Sequence, residues 1–334
     1  MIYRLLIVLC ICALPTTAHG QLLPNLGGDR AGTSGFQFLK IPIDARSAAL
    51  GETVVANAND VSSLFWNPAM AAQLTNINFG ASYVSYFTDV SLNFAGATFH
   101  IPGPSLTVGL SIQTLSSGSM DVTTEFQPFG TGETFSLFDM AVGATLAQSL
   151  TDLFSYGVTA KYVRESVAGV NQSTLVFDLG IYYKVGETGA QMAVAVRNFG
   201  LDSFSDGEIS RTIIENPSTR LENEFESITP PTTFLLGLTY NVFRSDTQND
   251  LIVSAQLNNP NDNAENWNFG AEYIWNDFLA LRTGYRFGVE EYTVPSAGLG
   301  LILPYLGPEL RFDYGYSQLE RLGQLHRISL MIGL

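Results

Sequence analysis

The chain runs to 334 residues with 31 acidic against 16 basic side chains, and 46% of it is hydrophobic while only 14% is charged. A soluble domain usually carries about 25% charge, yet beyond residue 20 no apolar run reaches the roughly 20 residues a membrane-spanning helix needs. An aromatic content of 12% excludes a disordered chain, and an acidic chain without a basic stripe is excluded as a nucleic-acid binder.

The first segment reads as an export signal over 1–20. Arg4 supplies a positive start, Leu5 to Leu14 an apolar stretch, and Ala18-His19-Gly20 the small residues of a cleavage site. Both cysteines, Cys10 and Cys12, lie inside it, and no small residue precedes either, which argues against a lipoprotein signal. Cleavage before Gln21 leaves 314 residues, no cysteine and a net charge of 15 − 31 = −16. Disulfides, thiolate nucleophiles and thiolate metal sites are thereby removed together.

Residues 21–35, rich in glycine, asparagine and proline, form an extended leader. From 36 to 73 the apolar spacing is three to four, and the segment reads as a small helical prelude. Asp44 caps a short helix over 45–50 that ends at Gly51. A second helical piece begins near Asp60 and stops at Pro68.

From Ile77 onward the period becomes two. Leu310, Phe312, Tyr314 and Tyr316 oppose Arg311, Asp313, Gly315 and Ser317, and the same alternation recurs over 174–184, 233–242, 266–275 and 278–287. Fourteen such segments are predicted: 76–87, 89–101, 105–116, 134–149, 154–167, 172–185, 189–200, 231–243, 250–259, 264–276, 278–287, 291–303, 307–317 and 324–334. Most exceed the usual 5–6 residues of a soluble strand and suit tilted strands crossing a bilayer. Aromatic residues near segment ends (Tyr83, Tyr86, Phe87, Phe99, Tyr162, Tyr183, Phe243, Trp275, Tyr305) fit interfacial girdles. A soluble sandwich would present lysine and glutamate to water, whereas only Lys40, Lys161 and Lys184 exist. The fold class is therefore all-β, a transmembrane antiparallel β-barrel of about 14 strands over 74–334 behind a helical prelude. The long connections, 117–133 and 201–230, follow the third and seventh strands and so share one end, as extracellular loops do.

Several motifs of the prelude carry a family resemblance. Phe38-Leu39-Lys40-Ile41, Asp44-Ala45-Arg46, Ala49-Leu50-Gly51, Asn59-Asp60-Val61-Ser62-Ser63 and Phe65-Trp66-Asn67-Pro68-Ala69 resemble the opening of the PorV/PorQ proteins. These are outer-membrane barrels of the type IX secretion system of Bacteroidota, distantly similar to FadL-type channels. The resemblance implies that 36–73 is a hatch lying in the periplasmic end of the lumen. Its structural motif residues are Asp44, Arg46, Gly51, Asp60, Trp66, Asn67, Pro68 and Ala69. It also implies an integral outer-membrane location, contact with outer-membrane lipid, and docking of secretion proteins, cargo or sortase components through loops 117–133 and 201–230. The alternative it carries is a FadL-like passive channel for small hydrophobic compounds.

Residues that carry chemistry are sparse. His100 and His326 sit at strand ends with Ser105 and Ser329 near them in sequence, and no spacing supports a metal or a nucleophile. The expectation is no enzyme, no cofactor and no metal. Charges on the inward parity (Asp139, Lys161, Asp178, Lys184, Arg197, Glu272, Arg282, Arg286, Arg311, Asp313) either pair across the lumen or filter a polar or anionic solute. Arg282, Arg286, Arg311 and Asp313 are the best lumen candidates. Gly298-Leu299-Gly300 lacks the third glycine of a phosphate loop and reads as small strand residues. In loop 201–230 seven acids (Asp202, Asp206, Glu208, Glu215, Glu222, Glu224, Glu226) meet only Arg211 and Arg220. Phe204, Ile213, Ile214, Leu221, Phe225 and Ile228 in that loop favour docking over a plain linker.

Overall fold

Alternation of side chains every second residue puts one face of each strand toward the lumen and the other outward, and the computed structural model follows that rule throughout. It describes residues 31–334 apart from 208, 213–218, 223–225, 244–248 and 304–308, with the backbone alone for 209–212 and 219–222. The signal segment, leader residues 21–30 and the girdle position Tyr305 lie outside the described residues.

Fourteen long strands make the wall: β1 Ile77–Ser85, β2 Ser91–Ile101, β3 Leu106–Ser116, β4 Leu137–Thr151, β5 Phe154–Val167, β6 Val170–Lys184, β7 Ala190–Gly200, β8 Thr233–Asn241, β9 Asn249–Pro260, β10 Asn266–Trp275, β11 Leu279–Phe287, β12 Ser296–Leu303, β13 Glu309–Leu319 and β14 Gly323–Gly333. Each pairs antiparallel with the next, and β1 pairs with β14 from Asn78↔Gly333 to Ser85↔His326, which closes the sheet and leaves no edge. No helix among the described residues is long and apolar enough to cross a membrane.

Boundaries match the sequence expectation within a few residues except at β12, expected from 291. Proline at 295 lacks the N–H a ladder needs, and the preceding segment instead folds over the barrel mouth with Tyr292 packed on Leu319 and Leu325. Outward leucines such as Leu110 (56% exposed), Leu146 and Leu179 stand where only lipid can cover them. Tyr83, Phe99, Tyr162, Tyr183, Phe243 and Trp275 also face outward. Tyr86 and Phe87 depart from the expected girdle: they fold inward and line recesses at the barrel mouth. Of the inward charges expected, Lys184 is exposed at the end of β6.

Connections 117–136 and 201–232 leave the same end of the barrel, while the segments that join strands at the opposite end are short. The first carries a small hairpin, Met120–Asp121 with Thr134–Phe135. In the second, Ile209–Thr212 pairs with Thr219–Glu222.

The prelude fills the lumen. Asp44, in extended backbone, accepts from Ser47 N at 2.8 Å and starts α1, Ala45–Ala49, which ends at Gly51 with φ 64°. A regular second helix, α2, spans only Ser63–Trp66, after a turn in which Ser62 N donates to Asp60 Oδ1 at 2.7 Å. Pro68 does stop α2, but it also opens a 3-10 turn, Pro68–Gln73. There proline sits in the first turn and the Asn67 side chain accepts from Ala69 N at 3.0 Å. The segment extends further than a periplasmic hatch. Gln37 Nε2 donates to Asp262 Oδ2 at 2.7 Å at the long-loop end, and Gln73 Nε2 donates to Ser155 Oγ at 2.7 Å near the short-turn end. Its apolar side chains, among them Phe36, Leu39, Ile43, Leu50, Val55, Leu64, Phe65 and Trp66, are buried along this path. Short helices cannot stand alone, and the lumen wall covers them over its whole length.

Candidate functional site: the plugged lumen and its outer mouth

Local capping and long-range ion pairing together fix the hatch. Beyond Ser47, Asp44 Oδ1 accepts from Trp66 Nε1 at 3.0 Å, so one carboxylate ties α1 to α2. Burial raises the Asp44 carboxyl above its ordinary range, and the neighbouring Asp60 adds to the rise.

Arg46 begins a chain of alternating charges. Its Nε and Nη2 donate to Glu272 at 3.0 and 2.6 Å, while Nη1 donates to Asn57 O at 2.8 Å. Glu272 also accepts from Arg282 Nε at 2.6 Å, and Arg282 Nη1 reaches Asp313 Oδ1 at 2.6 Å. Arg311 Nε donates to Asp313 Oδ2 at 2.9 Å and pairs through Nη2 with Asp60. The chain thus leaves the hatch at Arg46, crosses β10, β11 and β13, and returns to the hatch at Asp60. Its three guanidiniums balance its three carboxylates, and every member is buried. Burial pushes the Asp60 carboxyl up, but Arg311 and then Arg46 outweigh it and hold it below its ordinary range. Two further pairs stand apart from this chain: Arg286 Nη2 to Glu52 Oε1 at 2.6 Å, and Lys161 with Asp178 on β5 and β6. Asp178 also accepts from Asn198 N at 2.8 Å, where the β6–β7 register slips between Phe177 and Leu179 and Asn198 takes φ 56°.

Of the residues singled out in the sequence, Arg282, Arg311 and Asp313 fall in one chain, and Arg286 joins Glu52 nearer the mouth. Gly51 seats the turn after α1 against β11, Asn67 Nδ2 donates to Val55 O at 2.9 Å, and Ala69 is fully buried. Ser329 Oγ accepts from Ala45 N at 2.8 Å, whereas His326 faces outward toward the Tyr314 hydroxyl at 2.7 Å. His100 Nδ1 lies 3.0 Å from Thr107 Oγ1, and Ser105 occupies a turn with φ 49°.

The sequence reading missed the glycines. A Cβ at Gly284 would lie 2.1 Å from the Leu50 carbonyl carbon, and one at Gly157 would lie 2.5 Å from that of Pro68. These positions are glycine because hatch backbone runs directly against them. The signal was visible as glycine on the inward parity of successive strands, where it passed for a small-residue lumen wall.

At the long-loop end two recesses flank the 3-10 turn Gln37–Lys40. One, of about 660 Å³, is largely apolar, walled by Phe36, Phe38, Phe87, Leu115, Leu137 and Val170, with Asp139 and Glu165 in it. The other, of about 600 Å³, carries Arg197, Arg286 and Glu52 among aromatic and asparagine side chains. Above them the loops expose Phe126 (82%), Phe129 (98%), Leu201 and Phe204 (70% each). Ile228 packs beside Gly35 instead of facing out. Glu208, Ile213, Ile214, Glu215, Glu224 and Phe225 lie outside the described residues.

A family model described as type IX secretion system protein PorV matches residues 26–259, more than half of the chain. No curated protein matches. Solved structures similar to this chain include the Ralstonia pickettii toluene transporter TbuX (13% identity, TM-score 0.55, covering 87% of this chain and 97% of that one). They also include the Pseudomonas putida toluene transporter TodX (12%, 0.56, 86% and 96%). A third is a Pseudomonas aeruginosa FadL homologue (13%, 0.54, 88% and 99%). At these identities the likeness is one of fold.

Proposed function

The chain belongs to the PorV family of type IX secretion system proteins, an outer-membrane β-barrel family, and from that premise we propose that it is a docking barrel. It holds secreted cargo or sortase components at its extracellular face and performs no catalysis. The observation that carries this reading is the charge chain that leaves the hatch at Arg46 and returns at Asp60. It ties the middle of the plug to the wall at two points and leaves the mouth and loops as the working surface. Exposed Phe126, Phe129, Leu201 and Phe204 supply the apolar anchors that protein interfaces favour.

A passive channel for hydrophobic compounds has one observation on its side, the apolar recess at the mouth. Passage beyond it requires the hatch to leave, and the ion pairs oppose that.

The test is affinity purification from native outer membranes of the wild type, a variant lacking 201–230, and a Phe126→Ser, Phe129→Ser double variant. We expect both variants to insert as heat-modifiable barrels while losing co-purifying secretion proteins by tenfold or more. Undiminished partners in both variants would remove the loop assignment.

A further inference from the structure

The second recess at the mouth has a charge imbalance that the fold does not settle. Arg197, 4% exposed, stacks its guanidinium 3.8 Å from the Phe65 ring centroid and donates from Nη2 to Leu39 O at 3.2 Å, and its Nε has no hydrogen-bond partner among the described residues. Arg286 lies with Cζ 3.9 Å over the Tyr292 ring and reaches Glu52, again with an unpartnered Nε. Arg327, fully buried behind them, donates from Nη1 to Ser317 Oγ at 3.2 Å, and among the described residues its Nε and Nη2 have no partner.

Among the described residues the carboxylates acting on this group are few. Glu52 feels Arg286, Arg327 and Arg197 together, and Asp178, the other acid near Arg197, is held by Lys161. Three buried guanidiniums therefore share one buried glutamate, while the other carboxylates of the recess, Glu290 and Glu291, stand at its solvent-facing rim. A buried lysine or carboxyl relieves such an imbalance by changing protonation; arginine does not deprotonate in proteins. Buried charge without a counter-charge is unfavourable, so the site calls for an anion.

The remaining walls narrow the anion. Trp66, Tyr86 and Tyr292 offer aromatic surface, and Asn258 and Asn266 offer amide groups. Lys40 is occupied by Asp262 at 2.9 Å, and the rim carries Glu290 and Glu291, which disfavour a polyanion such as a phosphate ester. The volume, about 600 Å³, lies in the range of small-ligand sites. A planar carboxylate matches the guanidinium fork.

We propose that this recess is a binding site for a ligand with a single carboxylate and a compact, partly aromatic body, its charge seated between Arg197 and Arg286 with Arg327 behind. The carboxylate can belong to a free small acid or to the C-terminus of a peptide chain. The site stands on the guanidinium nitrogens left without partners and does not depend on the docking role.

The test is isothermal titration calorimetry on the full barrel in detergent, with 3-phenylpropionate and its neutral amide. A tripeptide ending in phenylalanine, with free or amidated C-terminus, forms the second arm. At least one free acid is expected to bind, and its amide to bind at least tenfold more weakly. Binding of 3-phenylpropionate alone assigns a free acid, and binding of the tripeptide assigns a chain terminus. Arg197→Gln is expected to weaken the acid tenfold or more, and the comparison of acid with amide on the wild type stands even if that variant misfolds. Failure of both acids to bind, or acid and amide binding within twofold of each other, overturns the proposal.

Discussion

Arg46 and Asp60 are fourteen positions apart in the hatch, yet each forms its ion pair with the barrel wall. Removing one member of a buried pair strands the other, a loss of about 3–5 kcal/mol. Arg46→Ala is therefore expected to lower the thermal unfolding midpoint in detergent clearly, whereas changes at exposed Arg321 should leave it unmoved. The pH dependence has a definite sign. Because the Asp60 carboxyl is held below its ordinary value, its contribution is fully present above about pH 4 and is lost as pH falls through the lowered folded value. Thermal unfolding between pH 7 and pH 3 should show wild type approaching Asp60→Asn at the acid end. A gap that stays constant would contradict the assignment. The Asp44 cap was legible in the sequence because it spans three residues. The pairing of Arg46 with Glu272 was not, because it depends on which strand the hatch turn faces.

The strand pattern was readable for a related reason: a period of two sustained over ten or more residues leaves little freedom in placing a strand. Its failure at 291–295 comes from proline ending the ladder and from Tyr292 finding cover over Arg286. The hatch was recognised from its motifs, but its path was not, since spacing within a turn says nothing about where the turn lies along a lumen. Gly284→Val should place side-chain carbon where the Leu50 backbone runs, destabilising the barrel by about 1–3 kcal/mol or more through overpacking and loosening the hatch to protease. Ser34 pairs in parallel with Thr229 at the long-loop end. An epitope inserted between Ala31 and Gly32 should therefore be reached by antibody on intact cells. Labelling only after permeabilisation would contradict that path.

Across the whole molecule, wall and plug are complementary parts. Outward apolar residues meet lipid, inward glycines admit hatch backbone, and inward charges tie the two together. The low overall charge belongs to the wall, while acidic residues gather in the loop 201–230. A docking barrel works at its outer face with the plug in place, whereas a channel must release the plug at each passage. Cross-linking the hatch to the wall separates the two. Ala45 N lies 2.8 Å from Ser329 Oγ, and the only native cysteines, Cys10 and Cys12, lie in the export signal. Mild oxidation of the Ala45→Cys, Ser329→Cys variant to a disulfide should therefore join the hatch to β14 alone. Secretion of cargo by cells carrying the cross-linked barrel is the decisive measurement. A barrel that docks with its plug in place should secrete as untreated cells do; secretion lost on cross-linking and restored by reduction would contradict that.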